Sequence, residues 1–211
     1  AARRYMHEYG EDRTRQAMAE IAVSTRKWAN LNPMAYFYDK PVTFEDYHNS
    51  KWVAWPFHLL DCCLVTDAGA AIVITTPERA RDAKNGSVTI LGAGEGHDHS
   101  GISQMPNLTQ AFGMHTGPQA LEMAGITHSD LDLAMIYDSF TYTVLVSIEN
   151  LGFCASGEGP DLVASQRTAP GGDFPLNTNG GGLSYTHPGM YGIFTIVEAV
   201  RQLRGQAGER Q

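Results

Sequence analysis

Apolar positions recur along this chain at two different spacings. Over residues 3–29 they return at helical intervals, with Ala17, Ile21 and Trp28 broadly on one face, which predicts a helix. Over residues 30–53 the periodicity is lost. That stretch is rich in aromatics (Tyr36, Phe37, Tyr38, Phe44, Tyr47, Trp52) and punctuated by Asn32-Pro33 and Lys40-Pro41. Residues 69–75 and 87–94 read as strands around a helix at 77–83. Residues 117–124 read as a third helix, which Gly125-Ile126 ends. The apolar run 131–136 predicts a buried strand, and 141–151 predicts the helix after it. Strands and helices alternate, so a layered α/β fold follows. No repeat is visible within the chain.

Two segments concentrate the chemistry. The tetrad Tyr137-Asp138-Ser139-Phe140 lies where the 131–136 strand gives way to a helix, and Asp138 or Ser139 is placed to cap that helix. Tyr137 then stands at a strand's C-terminal end beside a helix N-terminus. Open α/β sheets bind ligands there, and developing negative charge is stabilised there. The second segment, 177–192, brings Gly180-Gly181-Gly182, Tyr185, His187 and Tyr191 into one bend. Three successive glycines mean a backbone that passes close to something.

Composition narrows the function. With 43% hydrophobic and 18% charged residues over 211 positions, the chain has an ordinary globular composition and enough length for a substantial core. No apolar stretch has the length of a transmembrane helix, and no signal peptide opens the sequence, so a cytoplasmic protein with no membrane partner is expected. The formal net charge of −8 argues against a general nucleic-acid binder. Three cysteines, two of them adjacent at Cys62-Cys63, read as reduced thiols, and nothing nearby in sequence would activate any of them as a nucleophile. His97, Asp98, His99 and His115 offer metal-ligand atoms, but their glycine-rich setting reads as a loop, and no metal is expected. Gly92-Ala-Gly-Glu-Gly96 lacks dinucleotide spacing.

Taken in order, the motifs resemble the C-terminal half of the thiolase superfamily, in the sterol-carrier-protein-x and lipid-transfer branch. They are Leu60-Asp61-Cys62-Cys63, Asp67-Ala68-Gly69-Ala70-Ala71, Tyr137-Asp138-Ser139-Phe140 and Leu151-Gly152-Phe153-Cys154. Asn179-Gly180-Gly181-Gly182-Leu183, Thr186-His187-Pro188 and Gln202-Leu203-Arg204-Gly205 follow. The departures point within that superfamily. Tyr137 replaces the family's His or Asn, and Thr186 replaces the Gly before His-Pro. Both changes resemble the steroid side-chain-cleaving aldolases, where tyrosines take over from thiolase chemistry. The implied fold is one C-terminal half of a layered α/β/α/β/α structure. Residues 1–58 would form a helix and a loop-domain remnant, and residues 59–211 the α/β domain. The resemblance also implies an N-terminal thiolase half in the same or another chain, a homodimer through the core, and an OB-fold, zinc-ribbon partner protein.

The implied activity is retro-aldol cleavage of a bulky β-hydroxyacyl-CoA, with the CoA thioester as substrate and no bound cofactor. Tyr137, Tyr185 and His187 are the catalytic candidates, and the N–H groups of Gly180, Gly181 and Gly182 are candidate donors to the thioester oxygen. Tyr142 and Tyr191 are lesser candidates; Tyr142 shares a predicted helix face with Leu145, Val146 and Glu149. A tyrosine acting as base needs its pKa brought below about 10, which burial alone would oppose. Two other readings stay open: an acyltransferase of thiolase type with its nucleophile elsewhere, and a non-catalytic acyl-CoA or lipid carrier.

Overall fold

The predicted N-terminal helix forms in two pieces. A computed structural model describes residues 1–211 and places α1 at Ala2–Tyr9 and α2 at Glu11–Ala29. Gly10 breaks them apart at φ 101°, a backbone region that suits glycine. Glu11 and Asp12 open α2, and Arg26 and Lys27 close it, an order that complements the helix dipole. Buried residues such as Ala17, Met18, Ile21, Ala22 and Val23 surround α2 on most sides, so it runs through the core rather than along its edge.

The aromatic stretch yields α3, Phe44–Asn49, started by a capping box between Thr43 and Asp46. A short antiparallel hairpin follows, β1 (Trp52–Ala54) and β2 (Phe57–His58). The aromatics of this region divide. Tyr47 is buried and donates to the buried Asp61, whereas Tyr36, Trp52 and Trp55 remain exposed, as does Met34. Next come α4 (Pro77–Ala80), α5 (Gly113–Ala124) and α6 (Thr141–Asn150), then α7 (Gly159–Val163) and α8 (Gly192–Leu203). Gly125 ends α5 in the left-handed conformation. α2 packs against α3, α6, α7 and the glycine bend. One core cluster joins Tyr5, Met18, Ile21 and Tyr47 to Ile136, Leu145, Ile148 and Leu176, so the stretches 1–58 and 59–211 share it.

The layered sheet expected from the sequence does not form. The β1–β2 hairpin is the chain's whole sheet. Residues 69–75 and 87–94 run without a ladder, and Val65, Val73, Ile74, Ile90 and Leu91 stand exposed, Val73 at 91%. The reason is pairing: β propensity becomes a strand only when a neighbour takes the row of N–H and C=O groups. The 131–136 run has part of such a neighbour. Ala134 bridges Leu176 in parallel fashion, its N–H donating to Pro175 O at 3.0 Å. Asn177 then stands in for a ladder. Its N–H donates to Ala134 O at 3.0 Å, and its Oδ1 accepts the Ile136 N–H at 2.7 Å. That junction sets the glycine bend beside the end of the 131–136 run.

Candidate active site

Tyr137 emerges from that run 36% exposed, while its neighbours Ile136 and Asp138 are buried. Its Oη lies 2.8 Å from His187 Nε2, the hydrogen bond at the centre of the site. The hydroxyl also reaches Gly189 O at 3.4 Å. His187 is 9% exposed and held on three sides. Its backbone N–H donates to Thr66 Oγ1 at 2.9 Å, and the Thr66 and Thr186 hydroxyls pair at 2.8 Å. Its ring lies nearly parallel to that of Tyr191 at 6.1 Å and meets the Tyr137 ring edge-on at 5.5 Å. Gly182 closes the third side, where a Cβ would come within 2.7 Å of His187 Cδ2.

The bend itself is one wide turn over Gly181–Tyr185, entered through Gly180 at φ 101° and Gly181 at φ 61°. Its N–H groups have partners inside the protein. Gly180 donates to Asn177 O at 2.8 Å, Gly181 to Asn179 Oδ1 at 2.9 Å and Gly182 to Asp138 Oδ1 at 2.6 Å. The three candidate donors to a thioester oxygen are thus each paired inside the protein, as buried N–H groups must be. A buried cation also ties the bend to α2. Arg26, 5% exposed, donates through Nε to Ser184 Oγ at 2.9 Å and through Nη1 to Lys40 O at 2.8 Å, its guanidinium 4.1 Å over the Phe37 ring. None of the chain's ion pairs includes it, and burial lowers its pKa to about 10.

Asp138 is not a helix cap. The N-cap of α6 is Phe140, without a side-chain bond, and the Ser139 hydroxyl instead meets that of Thr143 at 3.1 Å. Asp138 is wholly buried and accepts from Gly182 and Leu183 N–H at 2.6 and 3.2 Å. Burial pushes its pKa up to about 7, against the two N–H bonds that favour its charge.

Of the remaining tyrosines, Tyr191 packs against the pair, whereas Tyr185 and Tyr142 lie apart from it. Tyr185 borders an open groove of about 300 Å³ together with Met34, Tyr36, Thr66 and Phe194. Phe194 and Tyr191 intervene between it and His187 in a row of rings at 6.0, 5.8 and 6.1 Å. Tyr191 is fully buried and donates to Asn179 Oδ1 at 2.8 Å. Tyr142 faces the core, 5.9 Å edge-on to Tyr5. Burial raises the pKa of both, so they serve as packing with a satisfied polar end. Sequence reading missed Thr66, Asn179 and the part played by Asp138. Asp138 lay inside the tetrad already singled out; Thr66 carried no signal, because its partners lie 120 and 121 residues away.

Tyr137 is a protonated phenol near neutrality, its pKa raised first by burial and next by the nearby Cys63. The thiols are likewise held up by burial, Cys62 to about 11 and Cys154 to about 12, with Cys63 shifted in the same direction. No three metal-ligating side chains converge anywhere in the chain. A phenol bonded to an imidazole at a solvent-facing edge can move a proton between substrate and histidine.

A helix-framed glycine bend presenting a His-Pro histidine to the end of an apolar run defines a thiolase-type C-terminal unit. Residues 94–211 match the family described as "Thiolase C-terminal domain-like", and the chain belongs to that family. Within it, the chain is 44% identical over 97% of its length to a steroid side-chain-cleaving aldolase of Thermomonospora curvata, covering 52% of that protein. It is also 44% identical, over 97% of its length, to the 17-hydroxy-3-oxo-4-pregnene-20-carboxyl-CoA lyase of Mycobacterium tuberculosis, covering 53% of it. The solved "Ltp2-ChsH2(DUF35) aldolase" superposes on 99% of the chain and 55% of its own with TM-score 0.90 at 41% identity. The chain thus spans about half the length of the curated relatives it matches.

Proposed function

We propose that this chain supplies the proton-transfer half of a lyase that cleaves a bulky β-hydroxyacyl-CoA, such as a steroid side-chain CoA thioester, by a retro-aldol reaction. The observation that carries the reading is the Tyr137–His187 hydrogen bond, with its phenol on the open side. The names of the similar aldolase and lyase supply the substrate class. The substrate hydroxyl gives its proton to Tyr137 Oη as the phenol proton passes to His187 Nε2. The C–O bond becomes C=O, the Cα–Cβ bond breaks, and its electron pair enters the thioester enolate. A proton at Cα then completes a shortened acyl-CoA beside the released ketone or aldehyde. This relay needs no free phenolate, which accords with a phenol whose pKa is raised.

Tyr185, at the mouth of the groove, is the candidate acid for the enolate, and the groove's Met34, Tyr36 and Phe194 offer apolar surface to the bulky group. An acyltransferase reading would draw its nucleophile from another segment or chain, since burial holds the three thiols of this chain in the protonated form. The similar solved assembly contains a DUF35 component, so we infer a partner of that kind here, with the exposed Tyr36, Trp52 and Trp55 as anchors. The apolar faces of 69–75 and 87–94 suit a second chain or segment, as a thiolase-like homodimer would provide. Tyr137→Phe, assayed in the complete assembly on a β-hydroxyacyl-CoA, should lower kcat by on the order of a hundredfold with little change in KM. Wild-type turnover would refute the aldolase reading.

A further inference from the structure

We infer that Asp138 is a positioning residue that sets the Tyr137–His187 hydrogen bond by clamping the glycine bend beneath the imidazole. The inference rests on the proposed role of that pair. Its basis is a closed circuit of contacts. Asp138 follows Tyr137 in the backbone. Its two carboxylate oxygens take the N–H groups of Gly182 and Leu183, at 2.6 and 3.2 Å. Gly182 lies directly against the His187 ring, and His187 Nε2 returns to Tyr137 Oη at 2.8 Å.

Each joint of the circuit is close-packed. A Cβ on Gly181 would run into the Asp138 carboxylate. One on Gly182 would lie 2.7 Å from His187 Cδ2 and 3.0 Å from Asp138 Oδ1. The bend is fixed on its outer side as well, by the Leu64 N–H donating to Gly182 O at 2.9 Å. The Asp138 carboxyl therefore grips the bend from the Tyr137 side, and moving it changes the distance across which the proton travels. A carboxylate with two good acceptors suits two converging N–H donors. An amide offers one acceptor and turns an N–H₂ toward the other donor.

The test is Asp138→Asn, alone and combined with Tyr137→Phe, in the complete assembly. A fully buried carboxylate, Asp61, which accepts from Tyr47, Thr141 and His58, serves as the matched control through Asp61→Asn. Asp138→Asn should lower kcat roughly tenfold or more and leave KM within about twofold. Added to Tyr137→Phe it should cost little further, because both act through one hydrogen bond. The nitrogen NMR signal of His187 Nε2, which reports its hydrogen bond to Tyr137 Oη, should move. Asp61→Asn should lose stability without moving that signal. Gly182→Ala, which presses the imidazole from below while keeping the carboxylate, should reproduce the kcat loss if Asp138→Asn folds poorly. Losses that multiply across the double variant, or an unmoved His187 nitrogen signal, would overturn the inference. If Tyr137→Phe alone keeps wild-type turnover, the aldolase reading falls, and the His187 nitrogen signal still decides whether Asp138 sets the pair.

Discussion

Tyr191 and Tyr137 lie 6.0 Å apart and carry the same hydroxyl, yet their surroundings assign them different work. Tyr191 spends its hydroxyl on Asn179 in a fully buried site. Tyr191→Phe should therefore cost about 1 kcal/mol in denaturant unfolding and leave kcat near wild type, the reverse of the Tyr137→Phe pattern. Asp138 adds a pH dependence. Its carboxyl has a folded-state pKa of about 7, above the value near 3.9 expected when unfolded. The folded state thus holds the proton more tightly. The stabilisation is complete below the unfolded pKa and lost as pH rises through about 7. Melting curves of wild type and Asp138→Asn should show wild type losing stability relative to the variant between about pH 4 and about pH 7. Equal pH slopes would show that the carboxyl is not held neutral by burial.

At the scale of elements, what the sequence disclosed depended on whether an element is local. Helices carry their partners within a few residues, so the 3.6-residue pattern disclosed α2, α5 and α6, and Gly125 disclosed where α5 stops. Gly10 within the first helix was readable in principle, since glycine disfavours helix interiors, but the apolar pattern ran across it. Strands take their partners from afar, and residues 69–75 and 87–94 find none here. Tyr137 and His187 were legible as candidates because each sat in its own unusual motif, but their hydrogen bond was not, since 50 residues separate them. The internal pairing of the bend's N–H groups was not, because it depends on Asn177, Asn179 and Asp138 converging in space. Asn177 is the element-scale hinge, left-handed at φ 53° and bonded to the Ile136 N–H. Asn177→Ala should lose roughly 1–3 kcal/mol, while Asn177→Gly should lose less because the backbone strain is relieved and the missing acceptor alone remains. Equal losses in chemical denaturation would mean that the strain contributes nothing.

Viewed as a whole, the molecule is finished on its helical side and unfinished along the extended one. Uncovered apolar segments with unpaired backbone are poor company for water and ready templates for another strand. The 211-residue chain by itself should sediment as a self-associating species, and a stable monomer with protected amides in 69–75 and 87–94 would contradict this. In the assembly those amides should exchange slowly.

Arg26 gives the site a frame whose chemistry does not switch. Even with burial lowering its pKa to about 10, the guanidinium keeps its proton through any ordinary working range. The anchor from α2 to Ser184 is therefore constant across that range. That anchor adds no pH dependence of its own, so a pH profile of turnover in the complete assembly carries no contribution from it.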